Sequence, residues 1–182
     1  AVAWTHLKCA ENKSYISIRG LRWPGRMQDV ASRNRPDLTF VLEGAHNPSG
    51  MKAACDELVQ QARWSRPWAL LLGTSPQTNM LGMLEPLANL CTRHAPSAVV
   101  LTEPQFGRYP GVDVATLRSD IERLGVPVSV AFPMPDEAVQ WLESNAHECE
   151  RILCIGSLYL QGNVLSALGA DDDAALTVMA KN

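Results

Sequence analysis

The sequence predicts an α/β fold of three layers, Rossmann-like, with a mainly parallel sheet and helices on both faces. Short apolar runs alternate five times with longer segments whose apolar residues recur at helical spacing. The apolar runs are nearly continuous, which indicates strands buried on both faces, as in parallel sheets. The 182 residues, 46% apolar and 19% charged, are typical of one globular domain with a sizeable core.

The first strand and helix are predicted over residues 38–42 and from 48 to about 62. The strand is T-F-V-L after Leu38, and Asn47 then fits an N-cap followed by Pro48 at the first helical position. Apolar residues such as Met51 and Leu58 fall on one side of that helix.

Four more strand–helix units follow by the same criteria. Strands are predicted at 68–72, 98–101, 126–132 and 152–155, and helices at 80–93, 113–124, from 135 to about 142, and 158–168. Ligands of such sheets bind beyond the carboxyl ends of the strands. This rule selects the segments 43–47, 73–79, 102–109 and 156–159 as the predicted functional edge.

The chain divides into a short start and a long regular part. Residues 1–20 are predicted to be a linker or a remnant of a preceding domain, with a short strand at 14–18, and residues 21–182 form the domain. Residues 31–37 are polar and predict a loop, and the acidic run 171–173 predicts a solvated turn.

Charge is distributed unevenly along the sequence. Residues 1–36 contain seven basic and two acidic residues, a net +5, which leaves −8 for the remainder of a chain whose total is −3. The basic end either reflects uneven surface charge or faces an anion such as a nucleotide phosphate. Nucleic acid is disfavoured as a partner, because no series of stacking aromatic residues accompanies the arginines.

The cysteines and the apolar runs bear on compartment. Five cysteines without a C-x-x-C pair predict reduced, mostly buried thiols in a cytoplasmic protein and disfavour a zinc site. The longest uninterrupted apolar run, 68–72, is far too short to span a bilayer. No charged segment followed by an apolar stretch marks a signal peptide at the start.

Candidate ligand-binding residues lie at the predicted functional edge. Glu43 could accept hydrogen bonds from ribose hydroxyls, and His46 could stack on a base or contact a phosphate, although both could serve local capping and packing. Arg26 follows a Pro-Gly turn and offers donors suited to phosphate oxygens, or else a surface ion pair. Ser157 could cap a helix whose amides receive an anion.

Several common nucleotide-binding and catalytic motifs are missing from the sequence. It has no G-x-x-x-x-G-K-[ST] phosphate loop, no G-x-G-x-x-G fingerprint and no G-x-S-x-G nucleophile elbow. A nucleotide-facing edge without a phosphate loop predicts half of a binding site, with the other half elsewhere.

Three motifs in order give the sequence a family resemblance. W-P-G-R at 23–26, E-G-A-H-N-P at 43–48 and G-S-L-Y at 156–159, with T-E-P at 102–104, resemble the C-terminal domain of folylpolyglutamate synthase/dihydrofolate synthase in the Mur ligase superfamily. The resemblance covers about residues 21–168. It implies an ATP- and Mg²⁺-dependent ligase that adds glutamate to folate or dihydropteroate through an acyl phosphate, in folate metabolism and polyglutamylation.

The resemblance also implies a division of labour. The phosphate loop and the magnesium ligands belong to an N-terminal ATPase domain, so this chain is expected to be inactive alone and to contribute no catalytic residue and no metal ligand. The implied nucleotide-facing residues are Arg26 at the phosphates, Glu43 near the ribose, His46 beside the nucleotide, and Asn47, Ser157 and Tyr159 around them. A domain that closes over ATP protects an acyl phosphate from water.

Two departures from the family pattern keep alternatives open. The family usually has aspartate at position 43, and it commonly has a charged D-K-D-like segment where this chain has the uncharged 73–79. Another Mur-type amino-acid ligase domain, or a non-catalytic nucleotide-binding or interaction module, also accounts for the sequence.

Overall fold

The computed structural model of the protein describes residues 25–61, 64 and 66–171. A six-stranded sheet carries five helices. The strands are β1 Gln28–Ala31, β2 Thr39–Glu43, β3 Trp68–Leu72, β4 Ala98–Thr102, β5 Val130–Phe132 and β6 Arg151–Ile155. The helices are α1 Pro48–Gln60, α2 Met80–Arg93, α3 Val114–Arg123, α4 Pro135–Asn145 and α5 Leu158–Ala167.

The strand order in the sheet is β1-β2-β6-β3-β4-β5. All neighbours pair in parallel except β1, which runs antiparallel to β2 at one edge. The mainly parallel α/β fold and the five strand–helix units predicted from the sequence are confirmed. Strand β1 was not predicted.

The core lies on both faces of the sheet because successive strand side chains point in opposite directions. On one face, residues such as Val41 and Leu70 pack with α1, α2 and α3. On the other face, Phe40, Leu71 and Cys154 pack with α4 and α5. Every residue of β3 is buried, which is the pattern that continuous apolar strands predict.

Most predicted boundaries agree with the structure to within two or three residues, and one differs more. The strand predicted at 126–132 begins only at Val130. Pro127 has no N–H to give to a ladder, and the Val126 N–H bonds instead to the Ile121 carbonyl at the end of α3. The apolar residues before Val130 therefore close the helix.

Several predictions fall outside the described residues. They are the linker at 1–20, the strand at 14–18, Cys9, the Trp23-Pro24 pair and most of the acidic run 171–173.

Residues 32–37 form the predicted loop, and Glu143 of α4 anchors it: its carboxylate accepts hydrogen bonds from Ser32 Oγ at 2.5 Å and Asn34 Nδ2 at 3.0 Å. Within the described part of the chain, no helix is long and apolar enough to cross a membrane.

Candidate functional site

The strand order places a switch point at the carboxyl edge of the sheet, where β6 lies between β2 and β3. Chains leaving β2 and β3 turn to α1 and α2 on one face, whereas the chain leaving β6, which lies between them, turns to α5 on the other face. Such a divergence opens a crevice where ligands of α/β sheets bind. The predicted segments 43–47, 73–79 and 156–159 all begin at this crevice, which is called the switch edge below.

Arg26 lies on a tight turn that leads into β1. Gly25 and Met27 on either side have positive φ values of 69° and 45°, and the Gly44 N–H donates to the Gly25 carbonyl at 2.6 Å. The turn is thereby fastened to the end of β2. The Arg26 side chain is 45% exposed and donates from Nη1 to Glu43 Oε1 at 2.6 Å.

Glu43 is the last residue of β2 and has a buried carboxylate, with 5% of the side chain exposed. Oε1 accepts from Arg26, and Oε2 accepts from the Met27 N–H at 3.2 Å. Both oxygens are thus engaged by the turn that presents Arg26. The predicted contact of Glu43 with a ribose stays a prediction, and what the structure shows is a carboxylate that holds an arginine.

His46 and Asn47 follow at the start of α1. His46 Nδ1 lies 2.8 Å from the Gly44 carbonyl. A carbonyl only accepts, so Nδ1 carries the proton, and in the neutral ring Nε2 is left as an acceptor. Asn47 is the N-cap, as predicted, with Oδ1 accepting from the Gly50 N–H at 2.8 Å and from Ser49 Oγ at 2.9 Å. A nucleotide contact of either residue stays a prediction.

Ser157 and Tyr159 lie at the start of α5, across the crevice. Ser157 is 2% exposed and caps the helix by accepting from the Tyr159 N–H at 3.1 Å, which confirms the capping role that the sequence suggests. Tyr159 is 42% exposed, and its ring lies against Gly107 of the loop after β4. Leu158, half exposed, lies over Gly44.

Gly156 lets the strand ends approach one another. Its φ is +119°, and a methyl group added there would lie 2.6 Å from the Gly73 carbonyl oxygen. Only glycine accepts both this conformation and this contact. The close approach brings the loops after β3 and β6 together at the switch edge.

Sequence reasoning missed Gln161, a buried polar residue of α5 that is 3% exposed. Its Nε2 donates to the carbonyls of Glu43 at 3.0 Å, Cys154 at 3.3 Å and Ser157 at 3.0 Å. The signal that could have found it is an amide at position 161, between Leu160 and Val164, in the mainly apolar stretch L-Y-L-Q-G-N-V-L.

The described cysteines are structural. Cys55, Cys91, Cys149 and Cys154 are unpaired and buried, which confirms their predicted packing role. Burial raises the pKa of Cys55 and of Cys91 to about 12, so neither is a thiolate nucleophile near neutral pH.

A family model described as "Mur ligase, glutamate ligase domain" matches residues 25–158. Among curated protein sequences, none matches the chain. The region matched by the family model begins at the turn that carries Arg26 and ends at the first residue of α5. It therefore includes both sides of the switch edge.

Solved structures with the same fold include three folate enzymes. Mycobacterium tuberculosis folylpolyglutamate synthase, complexed with ADP and AMPPCP, is 24% identical and aligns over 82% of this chain and 33% of its own, with a TM-score of 0.60. The synthase of Thermotoga maritima is 21% identical over 83% and 32%, with a TM-score of 0.61. E. coli FolC, in complex with DHPP and ADP, is 18% identical over 84% and 33%, with a TM-score of 0.64.

The chain spans about a third of the length of these structures. At such identities the likeness shows the fold, which is the Mur ligase C-terminal type predicted from the sequence.

Proposed function

The chain belongs to the Mur ligase family, in the part described as the glutamate ligase domain, and from this premise we propose that it is the C-terminal domain of an ATP-dependent ligase that joins glutamate to folate or dihydropteroate. The observation that carries the proposal is the convergence of Arg26, Glu43 and His46 at the switch edge. The folate enzymes that share the fold support the choice of substrate. The four buried, unpaired cysteines fit a cytoplasmic location.

Arg26 fits a nucleotide phosphate by its chemistry and its placement. Its side chain is nearly half exposed, and the turn holds it at the edge where ligands of such sheets bind. Glu43 holds the guanidinium from behind and satisfies one of its five N–H donors. The remaining donors would meet the anionic oxygens and offset charge on the transferring phosphoryl group, which ATP supplies.

His46 and the start of α5 complete the proposed nucleotide-facing edge. With Nδ1–H fixed on the Gly44 carbonyl, Nε2 of His46 would accept a hydrogen bond from a ribose hydroxyl or a base amine. Asn47 and Ser157 would act through the helices they cap, whose first amides face this edge. Tyr159 would cover the crevice from the α5 side.

Magnesium does not fit the described residues by themselves. Within residues 25–61, 64 and 66–171, no group of three or more His, Cys, Asp or Glu side chains could hold a metal ion. We propose that the ligands of the ion, with the phosphate loop, come from an ATPase domain.

The test is ADP release with glutamate and a panel of acceptors. The 182-residue chain alone is expected to give none, and the complete protein with its ATPase domain is expected to release ADP only when a folate or dihydropteroate is present. Turnover by the chain alone would overturn the assignment of the phosphate loop to another domain. Turnover with a different acceptor would identify another Mur-type ligase, and nucleotide binding without turnover would identify a non-catalytic module.

A further inference from the structure

We infer that Gln161 is a positioning residue that sets the placement of Arg26 at the switch edge, an inference that rests on the proposed nucleotide-binding function. Gln161 occupies a position that none of the predicted site residues shares. It sits one turn into α5, beneath the end of β2, the end of β6 and the Arg26 turn at once.

Gln161 binds three backbone carbonyls. Its single Nε2 carries two hydrogens and lies within 3.3 Å of three carbonyl oxygens, those of Glu43, Cys154 and Ser157. These oxygens belong to β2, to β6 and to the N-cap of α5. One amide therefore ties together the two strand ends from which the candidate residues project.

Gln161 also contacts the turn that carries Arg26. A methyl group added at Gly25 would lie 3.4 Å from Gln161 Cγ and 4.0 Å from Leu158 Cδ2, so the turn rests on these two side chains. The same turn is fastened to β2 by the Gly44–Gly25 hydrogen bond and to Glu43 through Arg26 and Met27. Gln161 thus supports both the backbone of the turn and the strand end that bears its carboxylate.

The side chain of Gln161 also has one acceptor oxygen that is not hydrogen-bonded within the described part of the chain. Gln161 Oε1 is buried and has no hydrogen-bond partner among the described residues. A buried acceptor without a partner costs free energy, so the position is not optimised for stability alone.

The experiment titrates the complete protein, with its proposed ATPase domain, with ADP and follows affinity and thermal stability for Gln161→Met, Arg26→Ala and the double variant. Methionine keeps the shape of glutamine and removes both donors. We expect Arg26→Ala to weaken ADP binding about tenfold or more and Gln161→Met about three- to tenfold. In the Arg26→Ala background, Gln161→Met should change affinity less than about 1.5-fold while still shifting the thermal midpoint.

A matched control comes from the opposite end of the strands. Glu143 makes a comparable buried anchor, accepting from Ser32 Oγ at 2.5 Å and from Asn34 Nδ2 at 3.0 Å, but it holds the loop before β2. Glu143→Gln should lower the thermal midpoint without changing ADP affinity. If Gln161→Met does not fold, Gln161→Asn, which keeps an amide but is shorter by one methylene, takes its place in the cycle.

The outcomes separate the two proposals. If the complete protein does not bind ADP, or if Arg26→Ala leaves its ADP affinity unchanged, the proposed nucleotide site and this inference fail together. If it binds ADP and Gln161→Met binds as tightly, or if the two substitutions are additive on affinity, the inference alone fails and Gln161 is merely structural. Loss of affinity that vanishes in the Arg26→Ala background supports it.

Discussion

Replacing Glu43 by glutamine tests whether its carboxylate holds the Arg26 turn in place. Glutamine keeps the side-chain volume but has one acceptor oxygen, and its NH₂ would face one of two groups that also donate, Arg26 Nη1 and the Met27 N–H. The substitution therefore removes a charge-assisted pair and leaves one buried hydrogen bond unmade.

The magnitude follows from the exposure of the two bonds. A hydrogen bond to a charged group contributes about 1.5–3 kcal/mol when it is shielded from water. Arg26 is 45% exposed, so solvent screens its share to about 1 kcal/mol, while the Met27 bond is made to a carboxylate that is 5% exposed. Together we expect a loss of about 2.5–4 kcal/mol in the free energy of unfolding, or about 5–16 °C in Tm for a chain of this size.

Urea unfolding followed by tryptophan fluorescence and circular dichroism measures this loss. Glu150→Gln is the matched control, because Glu150 pairs with Arg66 on the surface, where the two side chains are 49% and 68% exposed. It should cost less than about 1 kcal/mol. A Glu43→Gln variant no less stable than Glu150→Gln would refute the anchoring role of the carboxylate.

Glu43→Asp separates the two roles considered for this carboxylate. Aspartate is shorter by one methylene, so it cannot reach both Arg26 Nη1 and the Met27 N–H within the normal range of a hydrogen bond. If the carboxylate holds the turn, stability and ADP affinity both fall. If it serves a ribose instead, as the aspartate usual in the family implies, ADP affinity is unchanged or improved.

Three further predictions concern the frame around the site. Gly156→Ala should cost at least about 2 kcal/mol in urea unfolding, because the residue has φ +119° and the new methyl would meet the Gly73 carbonyl at 2.6 Å. Cys55 and Cys91, whose pKa burial raises to about 12, should react with a thiol reagent at about pH 8 no faster than the chain unfolds, and rapid native labelling would contradict their burial. Hydrogen bonds from Thr116 lower the pKa of Asp113, so the stabilising charge of its carboxylate is present above about pH 4 and is lost as pH falls through the lowered value. Asp113→Asn, which keeps the cap, should therefore flatten the decline of Tm below about pH 4. An unchanged decline would assign the loss of stability to other groups.

The parallel part of the fold could be predicted because four of its five strands are almost wholly buried on both faces, and only β5 is half-buried throughout. The residues W-A-L-L-L of β3 have no polar member that would allow another assignment, and proline or asparagine marks the start of the next helix in several units. Strand β1 carries no such signal. Gln28–Ala31 alternates between half-buried and exposed residues at the sheet edge, and only its pairing with β2 makes it a strand.

The candidate site was predictable in position but not in its internal contacts. The rule for strand ends located Glu43, His46 and Ser157, because it depends on the strand–helix pattern alone. The Arg26–Glu43 pair joins residues 17 positions apart through the unpredicted strand β1, and Gln161 reaches Glu43 across 118 positions. Side-chain partners of this kind depend on which strand ends meet, which the order of β6 between β2 and β3 decides.

The donors and acceptors at the switch edge indicate which sign of charge its ligand carries. Glu43, Asn47 and Ser157 each direct their acceptor oxygens to groups of this chain, namely the Arg26 turn and the first turns of α1 and α5. In the part of the chain that the structure describes, Arg26 has one of five donors engaged by Glu43 and remains nearly half exposed. The edge therefore offers unengaged N–H donors while its carboxylate is already occupied by Arg26, an arrangement that suits an anion better than a divalent cation.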